Sequence, residues 1–216
     1  MLIEKCKVLI RKIVHPLLGI GIEPTNDCNL DCWYCFRKDR PIGYMDIEKY
    51  KTLINELPFT CRSIGLSFAG ESALHPKFKD FVDIAHKRGF TPSLASNGTQ
   101  EYPSGIKIMK YPKPPKYICT NEFKFIKDYN LKPVYESCPQ INFGTYVLWN
   151  GDVVPCCTDL GGKHIMGNVF KEGLMNVWNG KKYKELRKKT YCDGCEIYKY
   201  RMVEEKLKDK YTAVSD

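Results

Sequence analysis

The sequence predicts an α/β fold: a truncated partial (β/α) barrel of about three to four parallel strands, followed by a small domain of a β-hairpin and helices. Strand-like and helix-like segments alternate between residues 20 and 110, the pattern of parallel βαβ units. Asn150-Gly151 between two apolar runs is the strongest hairpin signal in the chain. We place the boundary near residues 131–137, which gives domains 1–134 and 135–216.

The individual elements follow from local spacing. The apolar run at 20–24 predicts a buried strand. Asp46 at an N-cap position, followed by apolar residues at helical intervals, predicts a helix at 46–57. The remaining predicted elements are strands at 63–68, 90–96 and 106–110 and helices at 76–89, 121–129, 171–178 and 180–189.

Composition is that of a soluble globular protein, with 43% hydrophobic and 27% charged residues among 216. No apolar run reaches the roughly 18 residues of a membrane span. The basic, amphipathic stretch at 1–20 predicts a short helix packed across the start of the fold, with a membrane-surface helix as the alternative. The net charge of +9 favours nucleic-acid binding only weakly, because basic runs such as 181–189 are more often solvated helix faces.

The chain contains eleven cysteines, an odd number. We expect a reducing, cytoplasmic compartment, where clustered thiols indicate metal binding more often than disulfides. Only Cys6, Cys61 and Cys119 stand alone in the sequence, and they are expected to be buried small hydrophobic residues.

The first cluster is Cys28-x3-Cys32-x2-Cys35, directly after the first predicted strand. Three thiolates on one tight loop can ligate three irons of a four-iron, four-sulfur cluster and leave the fourth iron open to an exogenous ligand. The alternative is a zinc site, which would need a fourth protein ligand.

This loop, with Tyr34 as the aromatic residue before Cys35, resembles the signature of the radical S-adenosylmethionine (SAM) superfamily. The resemblance implies that the open iron chelates SAM and that one electron from the cluster splits SAM into a 5′-deoxyadenosyl radical, which abstracts a substrate hydrogen. It also implies that Cys28, Cys32 and Cys35 are the ligands and that Tyr34 contacts the adenine through its backbone.

A second segment, FAGESALHP at 68–76, resembles the Gly-Gly-Glu-Pro motif that holds the SAM amino group in this family. Gly70 would allow a close backbone approach, and Glu71 would accept a charge-assisted hydrogen bond from the ammonium group. The segment departs from the motif at Ala69, in place of glycine, and at Ser72, in place of proline.

A third segment, SNGT at 96–99, resembles the Thr-Asn-Gly often found at the end of the third strand of the family, with Asn97 as its central residue. All three segments fall at the C-terminal ends of predicted strands, where barrel folds place their chemistry.

A second set of cysteines resembles the auxiliary-cluster domain of the SPASM/twitch group. Cys138, Cys156, Cys192 and Cys195 would close a second four-iron cluster completely, in the shorter, one-cluster twitch form. Cys157 is treated as a spare thiol. The alternative is a structural zinc site built from two cysteine pairs.

The chain is short for this family. A full eight-unit barrel takes about 250 residues, so the stretch before Cys138 holds only three or four units. Either the site is open to a large substrate, or a partner subunit, such as a second copy in a homodimer, completes the wall. A sheet with an unpaired edge invites such pairing.

The predicted function is therefore a radical SAM oxidoreductase that abstracts hydrogen from a peptide or protein substrate. The alternatives are a small-molecule (sugar or amino-alcohol) radical dehydrogenase, a nucleic-acid-modifying enzyme and a non-catalytic iron–sulfur electron carrier. The resemblance further implies an electron donor such as flavodoxin or ferredoxin.

Overall fold

The protein is described from a computed structural model that covers residues 15–31, 35, 37, 40–110, 138–157, 159 and 161–189. Its strands are β1 (Gly19–Ile22), β2 (Ser63–Gly65), β3 (Ser93–Ser96), β4 (Lys107–Lys110), β5 (Gly144–Val147), β6 (Asp152–Val154) and β7 (Gly167–Asn168). Its helices are α1 (Ile47–Asn55), α2 (Phe78–Lys87), α3 (Pro139–Phe143), α4 (Val169–Glu172), α5 (Leu174–Trp178) and α6 (Lys181–Arg187), with a 3₁₀ turn at Ser72–Leu74.

The seven described strands form one sheet in the order β4-β3-β2-β1-β5-β6-β7. The first five strands in this order are mutually parallel, and β6 and β7 continue the sheet antiparallel. The predicted α/β class and the three to four parallel strands of the partial barrel are confirmed. The predicted helix at 121–129 lies outside the described residues.

The hairpin does not stand apart from the barrel sheet. Its first strand, β5, pairs in parallel with β1, with Gly19 opposite Gly144 and Gly21 opposite Tyr146. The β1 edge of the barrel strands is therefore covered by this chain's own hairpin, whereas β4 lies at the end of the sheet among the described strands. The domain boundary near residue 134 stays a prediction, since it lies outside the described residues.

One face of the sheet is packed by helices. Ile20, Ile64 and Leu94 from β1, β2 and β3 lie in one buried cluster with residues of α1 and α2. The rings of Tyr50 and Phe81 join the two helices, with centroids 4.4 Å apart. Since neighbouring side chains alternate between faces, Gly21 and Gly65 lie on the opposite face of the sheet.

The C-terminal helices are anchored to the N-terminal half by two hydrogen bonds. The Trp178 indole N–H donates to the carbonyl of His15 at 2.8 Å, and Glu56 of α1 accepts from the Leu174 N–H at 2.9 Å. Trp178 is buried and stacks under the Arg187 guanidinium, 3.9 Å from its ring centroid. Burial lowers the pKa of Arg187 to about 10. No helix in the described part of the chain is long and apolar enough to cross a membrane.

The junction of β1 and β5 yields a stability prediction. A Cβ atom at Gly21 would lie 2.2 Å from the Tyr146 ring, whereas one at Gly65 would meet only ordinary contacts from 3.7 Å. We expect Gly21→Ala to lower the free energy of unfolding by about 1–3 kcal/mol through overpacking. Gly65→Ala should be neutral or stabilising by up to about 1 kcal/mol, because alanine restricts the unfolded chain.

Urea unfolding of the anaerobically reconstituted protein measures both variants. Equal stability of Gly21→Ala and Gly65→Ala would contradict the parallel pairing of β1 with β5.

Candidate active site

The loop after β1 that carries Cys28 is fixed by its own polar side chains. Thr25 Oγ1 donates to the Gly43 carbonyl at 2.7 Å and accepts from the Asp27 N–H at 3.0 Å. Asp27 in turn accepts from the Cys28 N–H at 2.8 Å and from the Tyr44 hydroxyl at 2.6 Å. The hydrogen bond to Asp27 raises the pKa of Tyr44. The backbone around Cys28 is therefore held by hydrogen bonds from the chain's own side chains.

Two further side chains brace the same loop. Buried Asn26 donates to the Pro41 carbonyl at 2.9 Å and accepts from the Gly43 N–H at 2.9 Å. Arg37 donates to the Leu30 carbonyl at 3.0 Å. Cys28 and Cys35 are both half-buried free thiols. Cys32 and Tyr34 lie outside the described residues.

The sulfur of Cys28 accepts two N–H groups, from the Leu30 backbone at 3.5 Å and from Asn97 Nδ2 at 3.6 Å. Hydrogen bonds to the sulfurs are among the contacts by which proteins tune iron–sulfur clusters. These contacts fit a cluster ligand.

The segment at 68–76, here called the Gly70 segment, packs against the loop that carries Cys28, here called the cysteine loop. Gly70 has φ +95°, and a Cβ atom there would lie 2.6 Å from the backbone of Asn26 and Asp27. The Glu71 N–H donates to the Asp27 carbonyl at 2.7 Å. Only glycine permits this approach, so the first two predicted motifs form one rigid unit.

Glu71 is fully buried, and its carboxylate joins the second motif to the third. It accepts from Ser96 Oγ at 2.8 Å and from the Asn97 N–H at 2.9 Å. It also accepts a long bond from the Ala73 N–H at 3.4 Å. The described chain thus already supplies three donors to this carboxylate, which was predicted to receive the SAM ammonium group.

Next to Glu71, the hydroxyl of Ser72 is buried and has no hydrogen-bond partner among the described residues. An unpaired buried hydroxyl costs free energy unless a ligand or water satisfies it. This orphaned donor fits a polar group bound at the second motif.

His75 closes the same segment. Its Nδ1 accepts from the Lys77 N–H at 3.0 Å, so its Nε2 carries the proton and donates to the Met45 carbonyl at 3.0 Å. Burial lowers the pKa of His75, which keeps the ring neutral. The segment is thereby tied to the start of α1.

The structure reveals a buried ion pair that the sequence did not indicate. Glu23, at the end of β1, accepts from both terminal nitrogens of Arg40, at 2.9 and 2.6 Å. The same carboxylate accepts from the Ala69 N–H and from the Trp149 N–H, each at 3.2 Å. The side chains of Glu23 and Arg40 are 0% and 9% exposed. One carboxylate therefore joins β1, the cysteine loop, the Gly70 segment and the hairpin.

The auxiliary cysteines are described in part. Cys138 directly precedes α3, which leads into β5, and Cys156 follows β6. Cys157 donates to the sulfur of Cys156, and this hydrogen bond together with burial raises the pKa of Cys157. Cys192 and Cys195 lie outside the described residues.

Within the described ranges, no group of three or more His, Cys, Asp or Glu side chains is placed to hold a metal ion. One of the three cysteines of the first predicted site, and two of the four in the second, fall outside those ranges.

Comparison with known proteins finds a family match in each half of the chain. The sequence profile of the radical SAM superfamily matches residues 22–114, and that of the SPASM iron-sulfur cluster-binding domain matches residues 138–196. The S-adenosyl-L-methionine-dependent 2-deoxy-scyllo-inosamine dehydrogenase of Niallia circulans is 25% identical over an alignment of 213 residues. The match covers 78% of this chain and 85% of that protein.

Two solved structures show the same fold. BtrN in complex with AdoMet and 2-DOIA superposes with a TM-score of 0.64 at 22% identity, over 81% of this chain and 87% of that chain. Streptococcus suis SuiB bound to precursor peptide SuiA superposes with a TM-score of 0.63 at 12% identity, over 84% of this chain and 69% of that chain.

The ion pair of Glu23 and Arg40 gives a second stability prediction. Glu23→Gln keeps the shape of the side chain but leaves a buried guanidinium without its counter-charge. Removing one partner of a buried pair costs about 3–5 kcal/mol of the free energy of unfolding, and urea unfolding measures the loss. Asp83→Asn, which breaks the exposed pair with Lys79, is the control and should leave the unfolding midpoint close to that of the wild type. A wild-type midpoint for Glu23→Gln would contradict the role given to this carboxylate.

Proposed function

Because the chain belongs to the radical SAM superfamily and carries a SPASM-type iron–sulfur domain, we propose that it abstracts a hydrogen atom from an organic substrate. It is an oxidoreductase whose cofactors are a SAM-binding four-iron cluster, an auxiliary iron–sulfur cluster and SAM. When bound, the cluster and SAM together supply a 5′-deoxyadenosyl radical by one-electron cleavage of the sulfonium bond. The chain's own residues bind and orient these groups and exclude water.

Cys28, Cys32 and Cys35 are proposed to hold the SAM-binding cluster. The observation that carries this proposal is the pair of N–H donors at the sulfur of Cys28. The donors come from two different motifs, since Leu30 belongs to the cysteine loop and Asn97 to the end of β3. Asn97 is thus proposed to orient the cysteine loop through its hydrogen bond to the sulfur of Cys28.

The SAM contacts are proposed to come from Tyr34, Gly70, Glu71, Ser72 and Asn97. The unpaired hydroxyl of Ser72 supports a polar contact at the position where the family has proline. Glu71, held by three donors of the chain, is proposed to act mainly by fixing the two neighbouring loops.

Cys138, Cys156, Cys192 and Cys195 are proposed to hold the auxiliary cluster. Their position in the chain is supported by the match of the SPASM profile to residues 138–196. The cluster would supply an acceptor for the electron that a substrate radical must lose on oxidation.

Two substrate classes are candidates. The match to a 2-deoxy-scyllo-inosamine dehydrogenase over 85% of its length supports a small alcohol or amino-alcohol substrate, and it removes the need for a large substrate to explain a short barrel. The peptide substrate predicted from the sequence is the second candidate, supported by the fold shared with peptide-bound SuiB.

Several further expectations remain predictions. They are an electron donor such as flavodoxin or ferredoxin, a homodimer or other partner subunit, a cytoplasmic location, and the weak case for nucleic-acid binding.

The first test of the proposal is the release of 5′-deoxyadenosine by the anaerobically reconstituted protein with SAM and a reductant. We expect Cys28→Ala to abolish the release, because the cluster loses a ligand. Cys61→Ala is the matched control, since Cys61 is buried beside β2 and donates only to the Ser63 carbonyl. Release that survives in Cys28→Ala, or is absent in the iron-loaded wild type, would refute the proposed activity.

The second test separates the two substrate classes. We expect 2-deoxy-scyllo-inosamine deuterated at its ring carbinol positions to transfer deuterium to 5′-deoxyadenosine, as read by mass spectrometry. If peptides are turned over, and no deuterium passes from this compound or related polyols to 5′-deoxyadenosine, the peptide substrate would be favoured.

A further inference from the structure

Tyr102 lies in the loop between β3 and β4, beside the carboxylate that joins the second and third motifs. Its ring is half-buried and packs against the hydrophobic core of the protein. Its hydroxyl is hydrogen-bonded to the hydroxyl of Ser96, the last residue of β3. No motif in the sequence marks Tyr102, and the SAM contacts proposed above do not include it.

The direction of this hydrogen bond follows from the single proton of the Ser96 hydroxyl. A serine hydroxyl has one proton to donate and two lone pairs that accept. Ser96 Oγ donates to Glu71 Oε2 at 2.8 Å, because a carboxylate offers only acceptors, and it accepts from the Gly98 N–H at 3.0 Å. One lone pair is left for Tyr102, so the Tyr102 O–H is the donor. The hydrogen bonds therefore run from Tyr102 to Ser96 and from Ser96 to Glu71.

The carboxylate of Glu71 depends on such donors. It is fully buried, and no basic side chain of the described ranges forms an ion pair with it. A buried charge of this kind is tolerable only when hydrogen bonds satisfy it. Its Oε2 accepts from Ser96 at 2.8 Å and from the Asn97 N–H at 2.9 Å, whereas its Oε1 accepts a long bond of 3.4 Å from the Ala73 N–H. The Ser96 hydroxyl thus makes one of the two short bonds that fix this carboxylate.

The position of Glu71 in turn fixes the Gly70 segment. Its side chain caps the 3₁₀ turn at Ser72–Leu74, and its backbone N–H donates to the Asp27 carbonyl at 2.7 Å. The same residue therefore links the end of β3, the 3₁₀ turn and the cysteine loop. Because hydrogen bonds in a series polarise one another, the Tyr102 hydroxyl strengthens the bond from Ser96 to Glu71.

We propose that Tyr102 is a positioning residue for SAM: its hydroxyl directs the proton of Ser96 to Glu71 and so holds the Gly70 segment in the conformation that binds SAM. The inference rests on the proposed function, because it takes the Gly70 segment as part of the SAM site. In this role Tyr102 acts through Ser96 and Glu71, without a contact of its own to SAM.

The experiment is equilibrium dialysis of the anaerobically reconstituted protein against radiolabelled SAM. Tyr102→Phe removes only the hydroxyl, and we expect the dissociation constant of SAM to rise about 3- to 10-fold, the range for the loss of one hydrogen bond. The rate of 5′-deoxyadenosine release at saturating SAM should stay within about twofold of the wild type, because the variant weakens binding and leaves the bound state intact.

Tyr50→Phe is the matched control for the loss of a buried hydroxyl. Tyr50 is buried between α1 and α2, and its hydroxyl donates to the Phe81 carbonyl at 3.1 Å. The dissociation constant of SAM should equal that of the wild type in this variant. If both variants bind SAM equally weakly, a general loss of stability is the cause and the proposal is wrong.

A second variant tests the route through Ser96. Ser96→Ala removes the donor to Glu71, so it should weaken SAM binding at least as much as Tyr102→Phe does. Since Tyr102 acts through Ser96, adding Tyr102→Phe to Ser96→Ala should cause little further weakening. Urea unfolding and iron analysis check that each variant is folded and carries its iron.

Wild-type affinity for SAM in Tyr102→Phe, or fully additive free energies of binding in the double variant, would overturn the proposal. A wild-type protein that does not bind SAM would overturn it too. Failure of the proposed function reads out separately, as the absence of 5′-deoxyadenosine release from wild-type protein that binds SAM.

Discussion

The arrangement of the site depends on one buried carboxylate. Glu23 accepts four hydrogen bonds, two from Arg40 and one each from Ala69 and Trp149. Burying such a charge is tolerable only with a well-placed counter-charge and full hydrogen bonding. Its partners come from three separate loops, so the carboxylate fixes the positions of those loops relative to one another. The cysteine loop, the Gly70 segment and the hairpin are therefore held in fixed relative positions by groups of the chain itself.

Around this centre, the motifs support one another in pairs. Gly70 presses its backbone on the Cys28 loop, Glu71 holds the backbone of Asn97, and Asn97 returns to the sulfur of Cys28. These contacts form a closed ring of three loops at the C-terminal ends of β1, β2 and β3. Such preorganisation lets a reactive cofactor be oriented by rigid groups, with little rearrangement left for the moment of reaction.

The sequence alone predicted the parts of the fold that depend on local spacing. The cysteine intervals, Asp46 as an N-cap and Asn150-Gly151 as a turn are short-range patterns, and most of the described strands and helices followed from such patterns. The helix predicted at 171–178 is instead divided at Gly173 into α4 and α5. The sequence alone did not indicate which distant strands and side chains pair with one another. Nothing in the alternation of β5 indicates that β1 is its parallel neighbour, and a lone Glu23 gives no sign of pairing with Arg40.

The seam between β1 and β5 also has a consequence for how the protein is made. Glu23 and Trp149 are 126 residues apart in sequence, and contacts of such separation form late because closing the loop costs entropy first. A ribosome releases the cysteine loop long before it releases the hairpin that covers the edge of β1. During that interval the β1 edge of the sheet has no partner, and an unpaired edge in a growing chain is a template for aggregation until the hairpin has been synthesised.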